Sequence, residues 1–192
     1  ICDWDYYWGG KIINLQNSFE KLAEIDVEFY YHYLYKNQSF VPIHAFLIPK
    51  SVCTKSGGWN EDLTFNDDAE FINRILLQSE KIFNVKSCYV LYRNHSDMRF
   101  SRGNNVGSLL KSYSLMDAQL DNKKIKIADF LKWKLLSLFH KYYNDNSQLL
   151  EQYSDLFRKY NVDLRYALYY KSKYLLYRMV YPVYKKIKSK DR

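Results

Sequence analysis

From Val106 onward the apolar side chains recur at three- and four-residue intervals and nowhere alternate, so the second half of the chain reads only as helix. Any β-sheet must therefore come from the first 105 residues, and the fold class expected is α/β with an all-helical extension. The spacing predicts helices over 106 to 121, 125 to 143, 147 to 159 and 163 to 189, with Pro182 kinking or ending the last one. A chain of 192 residues accommodates one domain with a core plus such an extension, whereas two full domains would be a squeeze. The domain boundary is accordingly expected near residue 105, giving 1–105 and 106–192.

The first half is mixed. Residues 1 to 8 read as the end of a buried strand that turns at Gly9-Gly10, and residues 18 to 36 as helix in one or two pieces. Val41 to Pro49 is short and bounded by prolines, which predicts a strand reaching a site. Ser51 to Ser56 is a candidate short helix capped by Ser51 and stopped by Gly57-Gly58, because glycine takes up the left-handed conformation that ends helices. Residues 68 to 81 form the clearest helix, with Phe71, Ile75 and Leu76 inward and acids at its positive N-terminus. Residues 83 to 93 alternate as a strand, and a polar loop follows to Asn105.

Charge and cysteine usage narrow the setting. The net charge of +8 is confined to residues 165 to 192, and the remainder holds as many basic as acidic groups. Cys2, Cys53 and Cys88 are far apart and have no metal-ligand spacing, which predicts neither a disulfide framework nor a zinc site and fits a reducing cytoplasm. No run approaches the roughly 20 apolar residues of a membrane-spanning helix, and the first residues do not have the pattern of a signal peptide. The chain opens on Ile1 in an apolar and acidic run, which reads as a cut inside a folded domain.

The chemistry-bearing residues are concentrated between positions 41 and 102. Val41-Pro-Ile-His44-Ala-Phe-Leu-Ile-Pro-Lys50 leads to Ser56-Gly-Gly-Trp-Asn-Glu-Asp-Leu63. Asn66-Asp67-Asp68-Ala-Glu-Phe71, Arg74 and Tyr92-Arg93-Asn-His95 follow. In this order the block resembles the second half of family 2 glycosyltransferases of the GT-A fold. Those enzymes have an apolar strand with a basic residue, a Gly-Gly-aromatic-(Asp/Asn)-Glu-x-Leu turn, an acidic pair opening a helix and a Tyr-Arg-x-His strand end. The match runs over about sixty residues, and order and spacing together carry it. It departs at Asp67, where the family commonly has Glu.

The resemblance implies a partial GT-A domain, a nucleotide-diphospho-sugar transferase of Rossmann-like build, and an inverting, hexosyltransferase-type activity. Inversion needs one carboxylate to take the proton of the acceptor hydroxyl, and the resemblance assigns that role to Asp68. Asp67 would cap the helix or brace the loop; taken alone, both acids are equally explained as caps. Gly57 and Gly58 let backbone approach a sugar, and Trp59 offers a flat face for a pyranose, although a helix stop and a core tryptophan explain them too. His44 and Lys50 are placed at the cleft wall, and Arg93 is suited to the leaving diphosphate. His95 is either a loop histidine or a metal or phosphate contact.

GT-A enzymes hold the nucleotide and a divalent cation, Mn2+ or Mg2+, through strands and an Asp-x-Asp motif that precede the matched region. Asp3 and Asp5 have that spelling, but ICDWDYYW resembles the strand that comes after the motif. The expectation is thus an acceptor-side half without its donor-binding half, inactive alone. The partners implied are a nucleotide-sugar donor and a glycan or lipid-linked acceptor, as in envelope or surface polysaccharide synthesis.

The last helix gives a rival reading. Tyr166, Tyr170, Tyr174, Tyr177, Tyr181 and Tyr184 recur every three or four positions, framed by Lys and Arg. Such a helix suits an anionic membrane surface, which would place the protein peripherally on the inner face of the membrane; equally, it could pack on the domain. A basic, tyrosine-rich module could also bind nucleic acid. The confinement of charge to one end and the lack of a recognition motif argue against that.

Overall fold

The structure is a computed structural model that describes residues 1–13, 23–79, 81–93, 105–123, 125 and 127–162. The fold is mixed α/β, and the described chain forms two compact units, Ile1–Phe130 and a second from Leu131 on.

The first unit is built on strand β1 (Cys2–Trp8). Gly9 and Gly10, both at positive φ (+53° and +81°), make the two-residue turn to β2 (Lys11–Ile13), pairing Trp8 with Lys11 and Tyr6 with Ile13. On the other side of β1 lies β5 (Val85–Arg93), in parallel, so the order is β2-β1-β5. A parallel neighbour requires a crossover, and the residues between the two strands supply it. Within the crossover, β3 (Glu24–Ile25) and β4 (Ile82–Phe83) form a separate antiparallel pair, with an ion pair from Lys81 to Glu24 at 2.9 Å.

Helix α1 (Val27–Asn37) begins at Asp26, whose carboxylate accepts the Phe29 N–H at 2.7 Å, a cap worth about 1 kcal/mol. Of the helix expected over 18 to 36, residues 18–22 lie outside the described residues, and Glu24 and Ile25 are taken by β3 rather than by helix. Tyr30, Tyr31 and Leu34 are its buried residues.

The proline-bounded segment read as a strand forms instead a 3-10 turn over Ile43–Ala45. Pro42 lacks an N–H and its carbonyl accepts from Ala45 at 2.9 Å, which closes the turn. That turn touches β1, β5 and α3 (Asp67–Gln78), and so links the sheet to the helix bearing the acidic pair. Helix α2 (Lys50–Lys55) follows Pro49, with no side-chain cap where Ser51 was expected to provide one. Gly57 and Gly58, at φ +84° and +72°, stop it as predicted.

Helix α3 buries Phe71, Ile72, Ile75 and Leu76 in the core, each worth about 1.5–3 kcal/mol relative to exposure. It packs on α4 (Val106–Asn122), which therefore belongs with the mixed α/β unit although its sequence pattern is that of the helical half.

The second unit is helical. Helix α5 (Ala128–Gln152) contains a non-helical residue at Asn146 (φ −140°), where the periodicity predicts a break between 143 and 147, and α6 (Ser154–Lys159) follows. Phe139 and Phe157 meet edge to face at 5.6 Å within this unit. Among the described residues no helix is long and apolar enough to cross a membrane.

Candidate active site around Asp68

Two serines of α4 fix the loop that leads into α3. The Ser108 hydroxyl accepts the N–H groups of Thr64 and Phe65 and donates to the Phe65 carbonyl, all at 3.0 Å. Ser112, fully buried, accepts from the Asn66 amide at 2.7 Å and donates to the Asn66 carbonyl at 3.0 Å. Asn66 is thereby held in the left-handed region (φ 60°), and the chain enters α3 with Asp67 and Asp68 in the first turn.

The two acids are engaged differently. Asp67 accepts the indole N–H of Trp59 at 2.8 Å, so it braces the Gly-Gly-Trp turn rather than capping the helix. Trp59 rests on Phe71 with ring centroids 4.5 Å apart and is still 45% exposed. Asp68 accepts the Ala69 N–H at 2.8 Å. Solvent reaches its side chain, while the protein around it pushes the carboxyl above its ordinary value; the Asp67 charge adds to this and the Ala69 N–H opposes it. The Tyr30 phenol, raised chiefly by its own burial, is raised further by the charge of Asp68.

Behind the turn runs a buried polar chain. Arg74 makes a two-pronged ion pair with Glu70, 2.8 and 2.9 Å, and donates to the carbonyls of Ser56 and, at 2.7 Å, Gly58. Gln119 donates to Glu70 at 2.8 Å, Asn73 donates to Gln119 at 2.7 Å, and the Tyr31 hydroxyl donates to Asn73. This chain ties α1, α3 and α4 to the backbone that presents Trp59. Glu70 and Arg74 are four apart, the spacing of a helical ion pair, and that was the one signal of the network in the sequence. Nothing in the spacing points to Asn73, Gln119 or Tyr31.

The other candidates are dispersed. His44, exposed, stacks on Tyr92 of β5 at 5.6 Å and 15°. Lys50 is the exposed first residue of α2, which packs against α3. Asp3 and Asp5 alternate with Trp4, which is buried and packs on Phe40, so both acids lie on the other face of β1. Arg93, paired with Tyr7, shares their face, alongside exposed Tyr89 and Leu91. His95 is outside the described residues, and so are residues 163–192 with the basic tyrosine stripe.

Of the sequence-predicted set, the structure thus gathers Gly57, Gly58, Trp59, Asp67 and Asp68, and it separates Asp3, Asp5 and Arg93 from them. Among the described residues no three His, Cys, Asp or Glu side chains are grouped as a cation would need. A cavity of about 200 Å³ lies between α1 and the residues opening α5, lined by Tyr31, His32, Tyr35 and Ile127 to Phe130, and does not include Asp68.

No protein-family model, curated protein or solved structure matches this chain.

Proposed function

We propose that this chain is the acceptor-side part of an inverting glycosyltransferase, of GT-A build, that moves a sugar from a nucleotide donor to an acceptor hydroxyl. The observation that carries the reading is the division between the two acids: Asp67 is occupied by Trp59, while Asp68 stands solvent-accessible next to it with a raised proton affinity. An acceptor sugar stacked on the exposed face of Trp59 would present a hydroxyl toward the start of α3. Asp68 takes that proton as the oxygen attacks the anomeric carbon, and the nucleotide diphosphate leaves with the electrons of the broken bond. A divalent cation would neutralise that leaving group in the family this chain resembles; the described residues do not fit such a site.

The test is a transfer assay in the intact protein carrying its donor-binding strands. Asp68→Asn is expected to cut turnover by about 100- to 10,000-fold while the melting temperature is maintained. Turnover that survives the substitution removes Asp68 from the chemistry, and the function proposed with it. The rival reading, a membrane or nucleic-acid module, rests on residues 165–192, which lie outside the described residues.

A further inference from the structure

Cys2 and Cys88 lie at opposite ends of the crossover in sequence, yet the parallel ladder brings them together. Asp3 is opposite Tyr89 and Trp4 is opposite Val90; just before Asp3 the register jumps, so that Cys2 is bridged to Val85 and β5 bulges. Cys2 therefore stands opposite Val85, at the start of the bulged stretch that ends in Cys88. Alternation turns the Cys2 and Cys88 side chains to the face that carries Trp4 and Val90. The Cys88 sulfur turns back to lie 4.0 Å from the carbonyl oxygen of Val85, the residue opposite Cys2, and the Cys88 thiol is near enough to raise the proton affinity of Cys2. Cys88 is exposed, Cys2 is half-buried, and neither is in a disulfide. A disulfide spans about 4.4–6.8 Å between Cα atoms, which is the range of separations across adjacent strands about 4.8 Å apart.

We propose that Cys2 and Cys88 are an oxidisable dithiol that closes a disulfide between β1 and β5 on reaction with a small-molecule disulfide such as oxidised glutathione. Cys88, the more exposed, gives its proton to water and attacks one sulfur of the reagent; the reagent's S–S bond breaks and its first thiolate leaves. Cys2 then loses its proton and attacks the Cys88 sulfur, which expels the second thiolate. Two protein thiols are oxidised and one reagent disulfide is reduced to two thiols. Burial holds the Cys2 thiol above its ordinary value, and the nearby Cys88 thiol adds to that. The bond would staple the strands whose far ends carry Tyr6 and Tyr92, and in a reducing compartment it stays open until the poise shifts.

The experiment uses the full chain with Cys53→Ser, which leaves these two thiols alone, incubated with oxidised glutathione while folded. After free thiols are blocked, proteolysis and mass spectrometry should show the Cys2 and Cys88 peptides joined, with the parent lighter by two hydrogens. The oxidised form should melt about 5–10 °C higher than the reduced form and return on reduction. Adding Cys88→Ser should abolish the joined peptide. A glutathione adduct that persists on Cys88 while Cys2 stays alkylatable, a chain dimer through Cys88, or no reaction at all overturns the proposal.

Discussion

Asp68 differs from its neighbour in what it is left to do. The Trp59 indole occupies Asp67, and Asp68 meets solvent from a setting that makes its charge costly. Because the protein packed around it raises its carboxyl above the ordinary value of 3.8, the folded chain binds that proton more tightly than the unfolded chain does. The associated stability is therefore full below the ordinary value and is lost as pH rises through the raised one. Asp68→Asn, which keeps an oxygen for the Ala69 N–H, should melt no lower than the parent at pH 7, and the two should converge in acid. Melting curves across that range check this, and a clearly less stable variant at neutral pH would mean that the carboxylate is a structural cap. In the intact protein the same raised value should place the acidic limb of kcat/KM above the ordinary carboxylate range, and a limb at or below 3.8 would contradict a base at this position.

At the scale of elements, α3 links packing to the site. Its apolar side faces the core, its first turn carries the acids, and Glu70 and Arg74 reach back to the Gly-Gly-Trp turn. The Glu70 side chain is only 1% exposed and that of Arg74 18%, so removing one partner leaves a buried charge short of its counter-ion. Arg74→Met should cost about 3–5 kcal/mol in denaturant unfolding and should mobilise Trp59, read as a loss of its fluorescence anisotropy. A loss below about 1 kcal/mol would show the network to be incidental. Much of this element was legible in the sequence: the 3.6-residue period of Phe71, Ile75 and Leu76, the glycine stop before it, and even the break at Asn146 in the helical half. What was not legible was set by distant partners. The 41–49 segment looked like a strand because its side chains are apolar, but Pro42 favours a local turn, and among the described residues no strand pairs with it. Glu24 and Ile25 left the expected helix because β4 captures them. The α4 serines that shape Asn66 are polar residues on a helix, and no spacing rule connects Ser112 to a loop that precedes it by 46 positions.

At the scale of the whole molecule, the site belongs to the first unit. It needs α4 from the half whose sequence is all helix, because Ser108, Ser112 and Gln119 hold the entry to α3 and the ion pair behind Trp59. The helical second unit has a cavity of about 390 Å³, with Phe139, Leu150, Phe157 and Val162 among its lining residues, and it is a separate place where a ligand could be held. The resemblance that led to Asp68 was one of order along about sixty residues, and the structure gathers the turn and the acids of that order while it sets Arg93 and the Asp3–Asp5 pair on another face. The most direct test of the account is an NMR titration of the 15N-labelled chain with short glycans and methyl pyranosides. Trp59 indole and Ala69 amide signals should move together in a saturable way, persist in Asp68→Asn and vanish in Trp59→Ala; saccharides that move neither signal, or only signals of the second unit, would contradict a sugar site at the start of α3.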